Sequence, residues 1–111
     1  MTQHDPMLRV QHMLDYSREA VELLGDRSSE DLRADRVLQL ALVQLVEIVG
    51  EAGSRVPADV RDAHPEIPWK QAIGMRHRLI HGYDFVDYEV VFDTIRDSLP
   101  PLIRQLEEFL P

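Results

Sequence analysis

Two arginines, two histidines and a tyrosine fall within eight consecutive positions, Arg76 to Tyr83, of the run MRHRLIHGYD. A guanidinium grips phosphate through a planar fork and keeps its charge. An imidazole, with an unperturbed pKa of ~6.5, gives and takes protons near neutrality. These are the parts that cut RNA without a metal. A base removes the 2′-hydroxyl proton, an acid protonates the leaving 5′-oxygen, and a cation holds the charge that gathers on phosphorus. One histidine and one arginine make a thin site. A two-fold dimer would set two of each around a common cleft.

The run must be positioned by a helix and its end. Residues on an α-helix turn by about 100° each, so His77 and His81 are expected on one face, with Arg78 close by. Arg76 sits about 140° round from His81 on an ideal helix. The two converge only if the helix end distorts, and Gly82 stands where a left-handed cap would do so. Tyr83 follows on the turn. Plainer roles exist for each residue. Cations suit a helix C-terminus whatever the function. His77 and His81 have metal-ligand spacing but no third ligand nearby in sequence. Tyr83 could simply pack at the turn. Glu51, just past the most apolar helix, is placed either to orient Arg76 or to stand exposed. Arg78 reads as a surface or phosphate-steering cation, Trp69 as a core anchor, and His4, His12 and His64 carry no assigned role.

The charge pattern agrees with a local anion site. The chain has 20 acidic and 12 basic residues, for a formal net charge of −8. The sixteen residues from Pro68 to Tyr83 contain no acid, and Lys70, Arg76 and Arg78 give them +3, which leaves −11 on the rest. A broad nucleic-acid coat would be basic throughout; a cationic window in an anionic body focuses on one ligand. With 111 residues and no cysteine, the chain reads as one domain, residues 1–111, without disulfides or thiolate metal ligands. The N-terminus MTQHDPMLRV lacks the pattern of a signal peptide, and no apolar run approaches the ~20 residues of a membrane span, so a cytoplasmic protein without membrane attachment is expected.

The hydrophobic period is helical throughout, which gives an all-α, up-and-down bundle of four to five helices. The first is expected from Pro6, capped by Asp5, to Gly25, with a stripe of Met7, Val10, Leu14, Val21 and Leu24 broken at Ser17. The second is expected from Ser28 or Ser29 to about Gly53. Its centre, VLQLALVQLVEIV, is apolar on more than one side, which favours a homodimer over a monomer with a central core helix. A connector with three prolines follows, holding one helical turn after Pro57. A third long helix is expected from Trp69 to about His81. Its buried side would be Trp69, Ala72, Ile73, Ile80 and Met75. The last starts after Asp87 and is kinked or restarted by Pro100 and Pro101. No strand pattern is visible.

Arg76, four residues, His81, one residue, Tyr83 spell R-x4-H-x-Y. This resembles the signature of the HEPN superfamily, and in particular its HepT-like (DUF86) toxins. The stretches EIVGEAGSRVP and PWKQAIGMRHRLIHGYDFVD and the proline-bearing last helix resemble that family in order and spacing. The resemblance implies a HEPN-like homodimer and a metal-independent endoribonuclease without a cofactor. Arg76 and His81 would be catalytic in a cleft between protomers. It also implies a toxin–antitoxin pair, in which an MntA-like nucleotidyltransferase antitoxin transfers AMP from ATP to Tyr83. Added phosphate on that tyrosine would repel RNA from the site. The chain departs from the pattern at His77, where asparagine is common. His77 would assist as an acid or base, bind phosphate, or replace the amide's hydrogen bond. The alternative is a non-catalytic helical dimer that binds a nucleotide or the nucleotidyltransferase.

Overall fold

The computed structural model describes residues 5–81 and 85–111, with the side chain of His81 outside the described atoms. The first helix, α1 (Pro6–Leu24), starts as its sequence dictates: the Asp5 carboxylate accepts the Met7 N–H at 2.9 Å and Pro6 occupies the first turn. It stops at Gly25, whose φ of 58° is the left-handed geometry that glycine tolerates. The buried stripe runs through Val10, Met13, Leu14, Ser17, Ala20 and Leu24. Ser17 therefore does not break the stripe, while Met7 lies outside it and is partly exposed.

A single helix from Ser28 to Gly53 is not what forms. A short α2 (Ser29–Arg33) is closed by a reciprocal cap between Ser28 and Asp31. A new helix, α3 (Arg36–Ser54), then begins with Asp35 accepting the Leu38 N–H at 3.0 Å. The buried Gln39 amide secures the break by donating to the carbonyls of Leu32 and Arg33 at 3.1 and 3.0 Å. The Leu32 carbonyl also accepts the Asp35 N–H at 3.2 Å, so the amide completes the exposed end of α2 rather than closing it alone.

By length and hydropathy alone α3 could cross a bilayer, but half of its span is buried inside the bundle. Leu38, Leu42, Leu45, Val46 and Val49 face the core against α1. The far side of the same helix stays open, with Val37 77% and Leu40 55% exposed. The apolar breadth seen in the sequence is thus only partly used within one chain.

The proline-rich connector holds α4 (Ala58–Ala63), the expected turn after Pro57. The third long helix is corrected to two short ones, α5 (Trp69–Ile73) and α6 (Met75–Leu79), separated at Gly74. Trp69, Ala72, Met75 and Leu79 are buried across the break, while Ile73 and Ile80 are only half-buried. The chain then turns extended at Ile80 (φ −104°, ψ 121°). Ile80–His81 (β1) pairs antiparallel with Phe85–Val86 (β2), Ile80 opposite Val86 and His81 opposite Phe85. The Asp87 N–H closes the hairpin on the Leu79 carbonyl at 2.8 Å.

Asp87 caps α7 (Tyr88–Asp93), as the sequence predicts. A wide π-helical turn (Thr94–Ser98) follows, with the Leu99 N–H bonded five residues back to Thr94. Pro100 and Pro101 explain it: they lack an N–H and crowd the preceding turn, so the ladder widens before α8 (Leu99–Phe109) resumes. The result is an all-α bundle with a HEPN-like order of helices, α1, α3 and α8 being its long members.

Candidate functional site

The site is built on the contact between α3 and α5. A methyl group added at Gly50 would lie 3.2 Å from the Ala72 carbonyl oxygen and 3.3 Å from that of Ile73. At Gly53 it would meet the side chains of Ile73 and Met13, both at 3.3 Å. Two glycines three residues apart therefore let the backbone of α5 lie directly on α3. The break at Gly74 follows at once and aims α6 along the same face.

Arg76 is the first cation beyond the break. Its Nε donates to the Glu47 Oε2 at 2.7 Å, with the arginine side chain 58% and the glutamate 29% exposed. The bond fixes the guanidinium plane by its inner nitrogen. The terminal nitrogens, which can fork onto phosphate, make no bond among the described residues, and Arg76 lines an opening. The opening is a cleft of about 230 Å³ lined by Glu47, Gly50, Glu51, Ser54, Arg76 and His77, with Ile73 at its floor.

Glu51 does not orient Arg76. It lies in the same cleft but pairs with Arg55 at 2.9 Å, four residues along its own helix. Glu47, one turn earlier, bonds Arg76 instead, and Glu51, which the sequence left either to orient Arg76 or to stand exposed, is exposed within one chain. The signal was present: Glu47, Gly50, Glu51 and Ser54 form a polar and small stripe at helical spacing on an otherwise apolar helix.

His77 is exposed and lines the cleft beside Arg76. Arg78 points elsewhere, donating from Nη1 to the Gln71 carbonyl at 3.1 Å. The expectation that His77 and His81 share a helix face is overturned, because α6 ends at Leu79 and His81 belongs to β1. The distortion that would let Arg76 and His81 converge is thus present in the backbone. The His81 side chain, Gly82 and Tyr83 lie outside the described residues. Trp69 is 8% exposed and its Nε1 donates to the His64 carbonyl at 2.9 Å, so it anchors the core. Among the described residues no three His, Asp or Glu side chains gather as metal ligands would.

Comparison with known proteins follows the same outline. The family model described as "Ribonuclease HepT-like" matches residues 13–109. A protein of Caldanaerobacter subterraneus subsp. tengcongensis named "Putative RNase" is 37% identical over 105 residues, covering 95% of this chain and 94% of that one. A Thermococcus cleftensis protein named "Probable ribonuclease HepT" is 37% identical over 94 residues, 81% of this chain and 86% of that one. A Methanocaldococcus jannaschii protein, also named "Putative RNase", is 31% identical over 98 residues, 88% of this chain and 84% of that one. No solved structure matches the chain. With residues 13–109 matched, from within α1 to the end of α8, the chain belongs to the HepT-like ribonuclease family.

Proposed function

We propose that this protein is the toxin of a toxin–antitoxin pair, a cytoplasmic homodimer that cleaves RNA without a metal. The observation that carries the reading is Arg76, held by Glu47 at the mouth of a cleft shared with His77. An arginine anchored through Nε keeps its outer fork in place before a phosphate arrives, which is the preorganisation that transition-state stabilisation needs. His81 is the acid–base residue. An imidazole takes the 2′-hydroxyl proton, the 2′-oxygen forms a bond to phosphorus, and the bond to the 5′-oxygen breaks. That oxygen leaves with a proton from the second imidazole of the pair. The products are a 2′,3′-cyclic phosphate and a 5′-hydroxyl, and Arg76 holds the phosphorane charge between them.

The exposed strip of α3, with Val37 and Leu40, is the surface that a second copy covers. Neutralisation falls to a nucleotidyltransferase antitoxin. The Tyr83 oxygen attacks the α-phosphorus of ATP, pyrophosphate leaves, and the attached AMP places negative charge beside the RNA site.

The test for cleavage is incubation of the purified protein with transfer and messenger RNA in excess chelator. Fragments ending in cyclic phosphate are expected from the native chain, with none from His81→Ala of unchanged circular dichroism. Loss of cutting in chelator would refute the metal-free mechanism. The test for the pairing is intact mass after co-expression with a nucleotidyltransferase encoded beside the protein. AMP-sized additions are expected, absent in Tyr83→Phe. One observation favours the non-catalytic reading: two carboxylates, Glu47 and Glu51, stand in the cleft. That reading predicts nucleotide or partner binding with intact RNA even at high protein concentration.

A further inference from the structure

The cleft does not end at His77. Ile73 and His77 also line a groove of about 540 Å³ on the other flank of α5, where Arg61, Trp69 and Lys70 form the wall. That groove shares Arg61, Asp62, Lys70 and Gly74 with a wider depression of about 830 Å³ that reaches Arg78 and is edged by Pro65 and Pro68. The three concavities make one trough, from Arg76 round α5 to the proline connector.

Its charge is out of keeping with the molecule. Arg61, Lys70 and Arg78 line the groove and the depression, where Asp62 is the one lining carboxylate, while Glu47 and Glu51 stand at the Arg76 end. The described ion pairs of arginine engage Arg18, Arg33, Arg55 and Arg76, and none includes Arg61, Lys70 or Arg78. The Nε of Arg61 is buried with no hydrogen-bond partner. In a chain with 20 acids for 12 bases, carboxylates to neutralise these cations were abundant. Three cations against one carboxylate leave the groove and the depression net positive, which favours an anionic ligand there.

We propose that this trough is the track for the single-stranded RNA that flanks the scissile phosphate, an inference that rests on the nuclease reading of the cleft. From Lys70 to His77 the chain advances roughly 10 Å at 1.5 Å per residue, room for about two consecutive backbone phosphates of a single strand. Lys70, Arg61 and Arg78 hold the phosphates, and the apolar edge at Pro65 and Pro68 receives base faces. The track lets an anionic protein hold RNA without a basic surface, because the cations needed are confined to one line that ends at Arg76.

The experiment uses the full chain carrying His81→Ala, which binds without cutting, and a fluorescein-labelled twelve-nucleotide single-stranded RNA. Adding Arg61→Gln with Lys70→Gln should weaken binding about tenfold or more at low salt. The slope of log affinity against log salt should fall by about 1.4, roughly 0.7 for each phosphate that the protein no longer neutralises. With native His81, the same pair should raise KM for the twelve-mer by a like factor and change kcat by less than about twofold either way. A trinucleotide, too short for the trough, should show no such KM shift. If the double variant is misfolded by circular dichroism, exposed Lys70→Gln alone supplies the measurement at half the slope change. Unchanged affinity and slope in a folded variant overturn the proposal. So does equal weakening for trinucleotide and twelve-mer, or an oligoglutamate peptide that binds more tightly than the RNA. If the native chain cuts no RNA yet the slope change stands, the nuclease reading fails and the trough remains an RNA site.

Discussion

At the scale of single residues, the decisive contact is Arg76 on Glu47, and its consequence is kinetic. Glu47→Gln keeps the shape but removes the charge that holds the guanidinium. It should lower kcat about tenfold, near 1.4 kcal/mol of transition-state stabilisation, with KM changed less than about threefold. A change in KM alone would make Glu47 a binding group instead. Arg76→Lys, which keeps the charge but loses the fork, should fall further than Glu47→Gln. The sequence put Arg76, His77 and His81 forward by residue type, spacing and family resemblance, and the structure places Arg76 and His77 on one cleft. The sequence did not separate Glu47 from Glu51. Both carboxylates face the same side of α3, one turn apart. Which of them Arg76 reaches depends on where the backbone goes after Gly74, a tertiary matter.

At the scale of elements, the contact between α3 and α5 tolerates almost no added volume. Gly50→Val would drive methyl groups onto the Ala72 and Ile73 carbonyls, 3.2 and 3.3 Å from where a Cβ already falls. It should cost about 2 kcal/mol, read as a thermal midpoint lowered by roughly 8–15 °C. It should also tilt α6 and reduce cleavage beyond what the lower stability explains. A second prediction belongs to the cap of α2. The Ser28 backbone N–H donates to the Asp31 carboxylate, the Ser28 hydroxyl accepts the Asp31 N–H, and the Ser28 backbone first and its side chain second hold the Asp31 carboxyl below the ordinary aspartate range. A folded-state pKa that is depressed stabilises the fold fully above the unfolded value, and the contribution is lost as pH falls through the folded one. Carboxyl NMR titration should therefore place Asp31 below free aspartate. In Ser28→Ala the depression should shrink but not vanish, since the backbone N–H is retained, and stability should drop by about 1 kcal/mol. The helix starts at Asp5 and Asp87, the stop at Gly25 and the turn after Pro57 were readable because capping is local. The breaks at Asp35 and Gly74 were not. The apolar period runs on through both, and what ends the helices there is Gln39 capping α2 from α3 and the close passage of α5 over Gly50. The pairing of Ile80–His81 with Phe85–Val86 is too short to leave an alternating pattern.

At the scale of the whole molecule, one chain leaves an apolar strip uncovered. Val37 and Leu40 on α3 are exposed, as is Phe85 at 77%, and the α3 pair lies on the face that the proposed dimer would cover. Leu40→Glu should give a monomer by sedimentation at micromolar concentration, folded but at least about tenfold weaker in cleavage. A dimer that persists in that variant would move the interface elsewhere. The breadth of apolar residues in VLQLALVQLVEIV already carried this expectation, because a helix buried on one side needs no second apolar face.

The central claim is that two copies of His81, one from each protomer, act on the same phosphate beside Arg76. Mixing the native protein with excess His81→Ala tests it directly once mass spectrometry shows that subunits have exchanged. A shared cleft predicts that mixed dimers, left with one imidazole, cut at less than about a tenth of the native rate in chelator, so activity falls more steeply than the native fraction. Activity that falls only in proportion to the native subunits would contradict the shared cleft and the mechanism built on it.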